Sequence, residues 1–173
     1  GGIRRLFSLP ENIAMAQYGL DFYRGFEAAM GVDGAPAPIG FRGQGYLFVS
    51  DDGGHEQMEE NFRLQSASGV AVEALDRDTL ARRFPSIRTD DLALAVHSPE
   101  DAWIDPHAAL LGFRRKAESL GVRYAAEEVV GWEAEGGLAR RVTLASGGEI
   151  EADIHVLAAG ALSATPEAGG GSR

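Results

Sequence analysis

Imidazole titrates near neutral pH and ligates metals, so the four histidines, His55, His97, His107 and His155, are weighed first. Their spacing places no two on one helical turn or on alternate strand positions, as a metal pair requires. Each is expected to be a surface or capping histidine. Glu100, Asp101 and Asp105 form an acidic cluster, but Asp105 precedes Pro106 at a helix start and reads as its N-cap. That leaves Glu100 and Asp101 in an expected solvated loop. No serine has a Gly-x-Ser-x-Gly setting, and the chain has no cysteine. Gly40, Gly43 and Gly45 precede a strand and lack the strand–Gly-x-Gly-x-x-Gly–helix order that seats a pyrophosphate on a helix N-terminus. No acid–base pair emerges. The remaining candidate is Ala158-Ala159-Gly160, where a glycine closes an apolar run and lets a backbone pass close to another group.

The elements that would hold this run begin at Asp105. Asp105-Pro106 opens a helix in which Leu110, Phe113, Ala117 and Leu120 form one apolar stripe, and Gly121 is the expected stop. Val122, Tyr124 and Ala126 alternate as a strand. Val129-Val130 and Trp132 lead through Gly136-Gly137 to Val142 and Leu144, the pattern of a hairpin. Ser146-Gly147-Gly148 then turns into Ile150, Ala152, Ile154 and Val156 on one face. The uniformly apolar end, Val156 to Ala159, predicts a strand covered on both sides.

Upstream, Ser8 and Glu11 have capping-box spacing with Pro10 in the first turn, predicting a helix over about 10–30. Its apolar residues, among them Ile13, Met15, Tyr18, Leu20, Phe22 and Phe26, cover most of the circumference and predict a largely buried helix. The segment 39–96 reads as strand–helix–strand–helix and a further strand, with Met58, Phe62 and Leu64 facing inward. Its second helix is capped by Asp76 or Asp78.

The 173 residues are 45% hydrophobic and 24% charged, as in ordinary globular proteins, and leave room for one domain. A net charge of −10 with no basic run argues against a nucleic-acid footprint. No apolar run reaches the length of a membrane span and no signal pattern opens the chain, so a cytoplasmic location is expected. The start without Met and the Gly/Ser-rich residues 164–173 predict a piece of a longer chain with a disordered or foreign tail.

The segments WIDPHAALLGFRRKAESLGVRYAAEEVVGWEAEGG and VTLASGGEIEADIHVLAAGALS resemble the flavin domain of FAD-dependent oxidoreductases of the D-amino-acid-oxidase/sarcosine-oxidase superfamily. PENIAMAQYGLDFYRGFE, GYLFVSDD, MEENFRLQSASGV and FPSIRTDDLALAVHSPEDAWIDP resemble its substrate domain. The likeness covers roughly residues 1–163 and is strongest to the FOXRED-like and sarcosine/dimethylglycine-type branch. Leu162 departs from the tryptophan common there. The resemblance implies an α+β (mixed α/β) fold, a substrate-domain sheet beside part of an FAD-binding domain that lacks its first βαβ unit. Residues 1–8 would be flavin-proximal, 9–104 part of the substrate domain, 105–163 a middle slice of the FAD domain, and 164–173 the tail.

For the cofactor, the resemblance implies FAD with Gly1, Gly2 and Arg4 beside the isoalloxazine ring. It sets Val129 at the adenine and Ala158, Ala159 and Gly160 along the cofactor. The implied activity is oxidation of a C–N bond in an amino acid or a secondary or tertiary amine. Retention of FAD by this chain alone is doubtful without the Gly-x-Gly-x-x-Gly turn. The alternative is a non-enzymatic binding or interaction module derived from the same fold. Self-association is expected through the sheet edge that the absent first strand would cover.

Overall fold

The computed structural model describes residues 1–136 and 138–160. The chain divides into two compact units, with the break after Val122. Helices and antiparallel sheets are both present, as expected of the α+β class, with every described helix in the first unit.

In the first unit, β1 (Gly2–Ile3) is followed by α1 (Pro10–Arg24) and α2 (Phe26–Ala29). The expected single helix over 10–30 is broken at Gly25. Its expected capping box does not form either, because Leu9 is the N-cap and makes no side-chain cap bond. Nor is α1 largely buried: Ile13 and Leu20 are enclosed, whereas Met15 and Tyr18 are 65% and 76% exposed. One stripe suffices for a helix that meets its neighbours on one side.

Next come β2 (Arg42–Gly43), β3 (Tyr46–Ser50), α3 (His55–Ala67), β4 (Glu73–Leu75), α4 (Arg77–Arg83), β5 (Leu94–Ser98) and β6 (Ala102–Trp103). The strand–helix–strand–helix order expected over 39–96 is therefore present. β5 lies between β3 and β4 and is antiparallel to both, so β3 and β4 run parallel and α3 is their crossover. Asp76 caps α4 by accepting from the Thr79 N–H at 2.7 Å. Alternation along β3 and β5 sorts their side chains. Leu47 and Ala95 join Leu75, Leu80, Phe84 and Leu92 in one apolar cluster, while Phe48 pairs with Val96 on the opposite face.

α5 (Pro106–Ser119) starts as expected, with the Asp105 carboxylate accepting from the N–H groups of His107 and Ala108. It ends in a Schellman pair: Gly121 (φ 91°) donates to Glu118 and Val122 to Ala117. The packed face differs from the expected stripe. Ala109 and Gly112 are buried, while Leu110 and Leu120 are exposed. Small residues win because the helix must approach Phe26, whose ring is fully enclosed and would meet a Cβ on Gly112 at 2.6 Å. Phe113 still contributes, with its ring stacked on Phe22 at 5.8 Å and edge-on to Phe26 at 5.1 Å.

In the second unit, β7 (Val129–Glu135), β8 (Leu138–Leu144) and β9 (Glu149–Glu151) form an antiparallel meander. Trp132, Val142 and Ile150 stand in register, as the hairpin reading required. Arg141 makes ion pairs with Glu133, Glu149 and Glu151 across all three strands. The hydrogen bond it donates to Glu151, helped by the other carboxylates, holds the guanidinium above its ordinary value. One expected strand is absent and another is cut short. Residues 122–128 form none, and the strand expected from Ile150 to Ala159 stops at Glu151. Val156 is 83% exposed. Alternation or apolarity marks a strand only where a neighbour supplies the ladder. The expected 164–173 tail lies outside the described residues, as does Leu162.

Candidate functional site

β1 is the second-order product of a contact far along the chain. Its Gly2 pairs with Trp103, and Arg42 of β2 pairs with the same Trp103 from the other side. A cleft of about 280 Å³ opens there, lined by Arg42, Gln44 and Trp103. Gly2 has no room for a side chain, because a Cβ would overlap the Tyr46 hydroxyl. Gly1 and Gly2 are exposed at the outer strand of the sheet, next to β6; Gly1 is tied to Ile104 through both its amino group and its carbonyl, and Arg42 lies across β6 on the far side.

Arg4 is exposed, its guanidinium carbon 5.3 Å from the Phe7 ring centroid and 5.8 Å from that of Phe48. Such contacts hold a cation over aromatic faces at modest strength. Arg5, which the sequence reading passed over, is buried. Its main-chain N–H and Nε donate to Asp101 at 3.0 and 2.8 Å, and Nη1 donates to Glu100 at 3.0 Å. Asp101 is fully enclosed, so the expected solvated loop is corrected to a buried ion pair. The Gly45 N–H donates to the Asp101 carbonyl at 2.8 Å, tying the lead-in to β3 to the same residue. The one sequence signal was an acidic pair directly after the buried strand β5, where a solvated loop would not need to turn back.

His97 is also corrected from surface to near-buried, since β5 is the central strand of its sheet. Its Nδ1 lies 3.2 Å from Arg83 Nη2, and its ring meets Phe84 edge-on. Arg83 also pairs with Glu73, and that hydrogen bond holds the Glu73 carboxyl below its ordinary value. Among the described residues no group of three or more metal-ligating side chains converges. Nor is any described helix long and apolar enough to cross a membrane.

The other expected site residues belong to the second unit. Val129 opens β7 opposite Leu144 and is exposed. Ala158, Ala159 and Gly160 are exposed and outside any strand, with Gly160 in the left-handed region at φ 58°. Gly1, Gly2 and Arg4 form one group in the first unit, and Val129 with Ala158 to Gly160 belongs to the other.

The mixed α/β fold, with helices set against antiparallel sheets, is shared with solved amino-acid dehydrogenases and oxidases. Residues 1–172 match the FAD dependent oxidoreductase family, and the chain belongs to it. FAD-dependent oxidoreductase domain-containing protein 1 of Bos taurus is 36% identical over 131 residues, 75% of this chain and 27% of that protein. The chain thus spans about a quarter of the length of the curated relatives it first matches. 4-Methylaminobutanoate oxidase (formaldehyde-forming) of Paenarthrobacter nicotinovorans is 29% identical over 110 residues, 63% of this chain and 13% of that one. In the solved structures, L-proline dehydrogenase from P. horikoshii aligns with a TM-score of 0.80 at 24% identity, over 94% of this chain and 42% of its own.

Proposed function

We propose that this chain is part of an FAD-dependent oxidoreductase that oxidises a C–N bond in an amino acid or a secondary or tertiary amine. The reading is carried by the exposed glycine strand β1, paired with Trp103 of β6 at the edge of its sheet, in a chain that belongs to this family. The names of its relatives, L-proline dehydrogenase and 4-methylaminobutanoate oxidase, support the amine class.

The residues present fit the flanks of an FAD site. Gly2 leaves only the solvent side of the outer strand β1 open to a flat ring, since the Tyr46 hydroxyl fills the space its Cβ would take, and the exposed Arg4 follows two residues on. Val129 would wall the adenine, with Ala158, Ala159 and Gly160 passing along the cofactor. The Gly-x-Gly-x-x-Gly turn that would cradle the pyrophosphate is not among the 173 residues. When bound, FAD supplies the hydride acceptor. The chain's own part is to present the β1 edge, to keep Arg5 and Asp101 locked beneath it, and to offer Arg42 to a carboxylate at the cleft. We assign 9–104 to a substrate domain and 105–163 to a slice of the flavin domain.

The test uses the whole protein loaded with FAD. Anaerobic mixing with a panel of amino acids and N-methyl amines should bleach the flavin, and 2-hydroxy acids should not. Bleaching by hydroxy acids alone would overturn the amine assignment. The 173-residue chain itself should bind FAD weakly, since each lost charge-assisted hydrogen bond costs about 1.5–3 kcal/mol. Stoichiometric micromolar binding in a flavin-fluorescence titration would contradict that expectation.

A further inference from the structure

We propose that a second cleft, between α3 and the β3–β5 pair, binds a small neutral aromatic molecule that donates one N–H or O–H hydrogen bond. Its volume is about 230 Å³, below the usual size of a pocket for a drug-sized ligand. The cross-strand pair Phe48 and Val96 forms one wall, and Leu6 and Met58 close the sides. Phe48 is partly open to solvent and Met58 is half-buried, so an aromatic ring would gain an aromatic face and a polarizable thioether.

The polar side of the cleft is one stripe of α3. Gln57, Asn61 and Gln65 follow each other at i, i+4 and i+8, and all three line it. The outer two are tied along the helix, Gln57 Nε2 donating to Asn61 Oδ1 and to Glu60 Oε2, both at 3.3 Å. Gln65 is different. It is only 4% exposed, and its Nε2 donates to the Phe7 carbonyl at 3.1 Å. That bond fixes which end of the amide faces Phe7, and it leaves Oε1 buried with no donor. A buried acceptor of this kind calls for a partner.

No ionisable side chain lines the cleft, which selects the class of ligand. An ion entering it would lose water with no opposite charge in the lining, and the cation outside the Phe48 wall, Arg4, is already laid against the Phe7 and Phe48 rings. The occupant is therefore neutral, flat and armed with one donor, as indole and phenol are. It differs in chemistry from the amine or amino-acid substrate proposed above, so this assignment does not rest on that one.

The test uses the ¹⁵N-labelled 173-residue chain titrated with indole and with 1-methylindole, which has the same ring and no donor. Indole should saturate shifts of the side-chain NH₂ signals of Gln57, Asn61 and Gln65. 1-Methylindole should bind about tenfold more weakly, the worth of one modest hydrogen bond. In Gln65→Met the two ligands should become equal, and Asn61→Phe, at the mouth, should block both. If Gln65→Met does not fold, the ligand pair on the unaltered chain and Asn61→Phe still decide. Equal affinities for the two ligands, no saturation with indole (water alone satisfying Gln65), or shifts confined to β7–β9 would overturn the proposal.

Discussion

Replacing Asp101 by Ala removes the carboxylate that accepts both the Arg5 main-chain N–H and Nε. The Arg5 side chain is only 6% exposed, so its guanidinium cannot simply turn to water. It keeps Glu100, which is 51% exposed, and a long contact of 3.5 Å to the Ser98 hydroxyl. Breaking a buried pair from one side costs about 3–5 kcal/mol, against a total stability of about 5–15 kcal/mol for a domain. With a urea slope of about 2 kcal/mol per molar, the midpoint should fall by about 2 M. Trp103 sits next to the pair in β6, and a Trp132→Phe background makes it the sole tryptophan to follow by fluorescence. The double variant Arg5→Met with Asp101→Leu removes both charges and should recover most of the loss, because the penalty lies in the unpaired ion. A midpoint shift below about 0.5 M for Asp101→Ala, or strictly additive single changes, would refute this account.

Gly112→Ala should destabilise the first unit although alanine is the better helix former. The gain of about 1 kcal/mol is outweighed by about 1–3 kcal/mol of overpacking against the boxed-in Phe26 ring. Gly19→Ala, in the open at the middle of α1, should instead stabilise, and chemical denaturation of the two variants checks the contrast. The Thr79 N–H holds the Asp76 carboxyl below its ordinary value. Its contribution is therefore present above the unfolded value and lost as pH falls through the folded one. Urea midpoints should show Asp76→Ala weaker than the parent at neutral pH, with the gap closing in acid. Sedimentation velocity over a range of concentrations should reveal self-association, since Val129, Val130 and Trp132 of the outer strand β7 are exposed. A monomer at every concentration would count against that expectation.

Signals confined to a few neighbouring residues were legible in the sequence. Asp105-Pro106 and Gly121 bracket α5, Asp76 caps α4, and the hairpin forms about Gly136, because each depends on adjacent backbone chemistry. The facing of α5 was not legible, since the choice of Ala109 and Gly112 over Leu110 and Leu120 is made by Phe26, some eighty residues earlier. The same holds for the absent strands at 122–128 and 152–159, whose own residues permit pairing without supplying a partner. At the site, Gly2 and Arg4 were singled out by resemblance, whereas Arg5 and Asp101 acquire their role only by meeting across the fold.

Arg5 and Asp101 are 96 residues apart, and β1 finds its only described partner strand, β6, at a similar distance. At a synthesis rate of about 5–20 residues per second, roughly 5–20 s separate the making of the two ends. Through that interval the glycine edge is extended, unpaired and open to other chains. Ribosome-bound chains halted before β6 should lose residues 1–7 to protease, and chains long enough to expose β6 outside the ribosome should keep them. The strand proposed to meet the cofactor is thus made well before the strand that secures it, so cofactor capture has to wait for β6 to emerge.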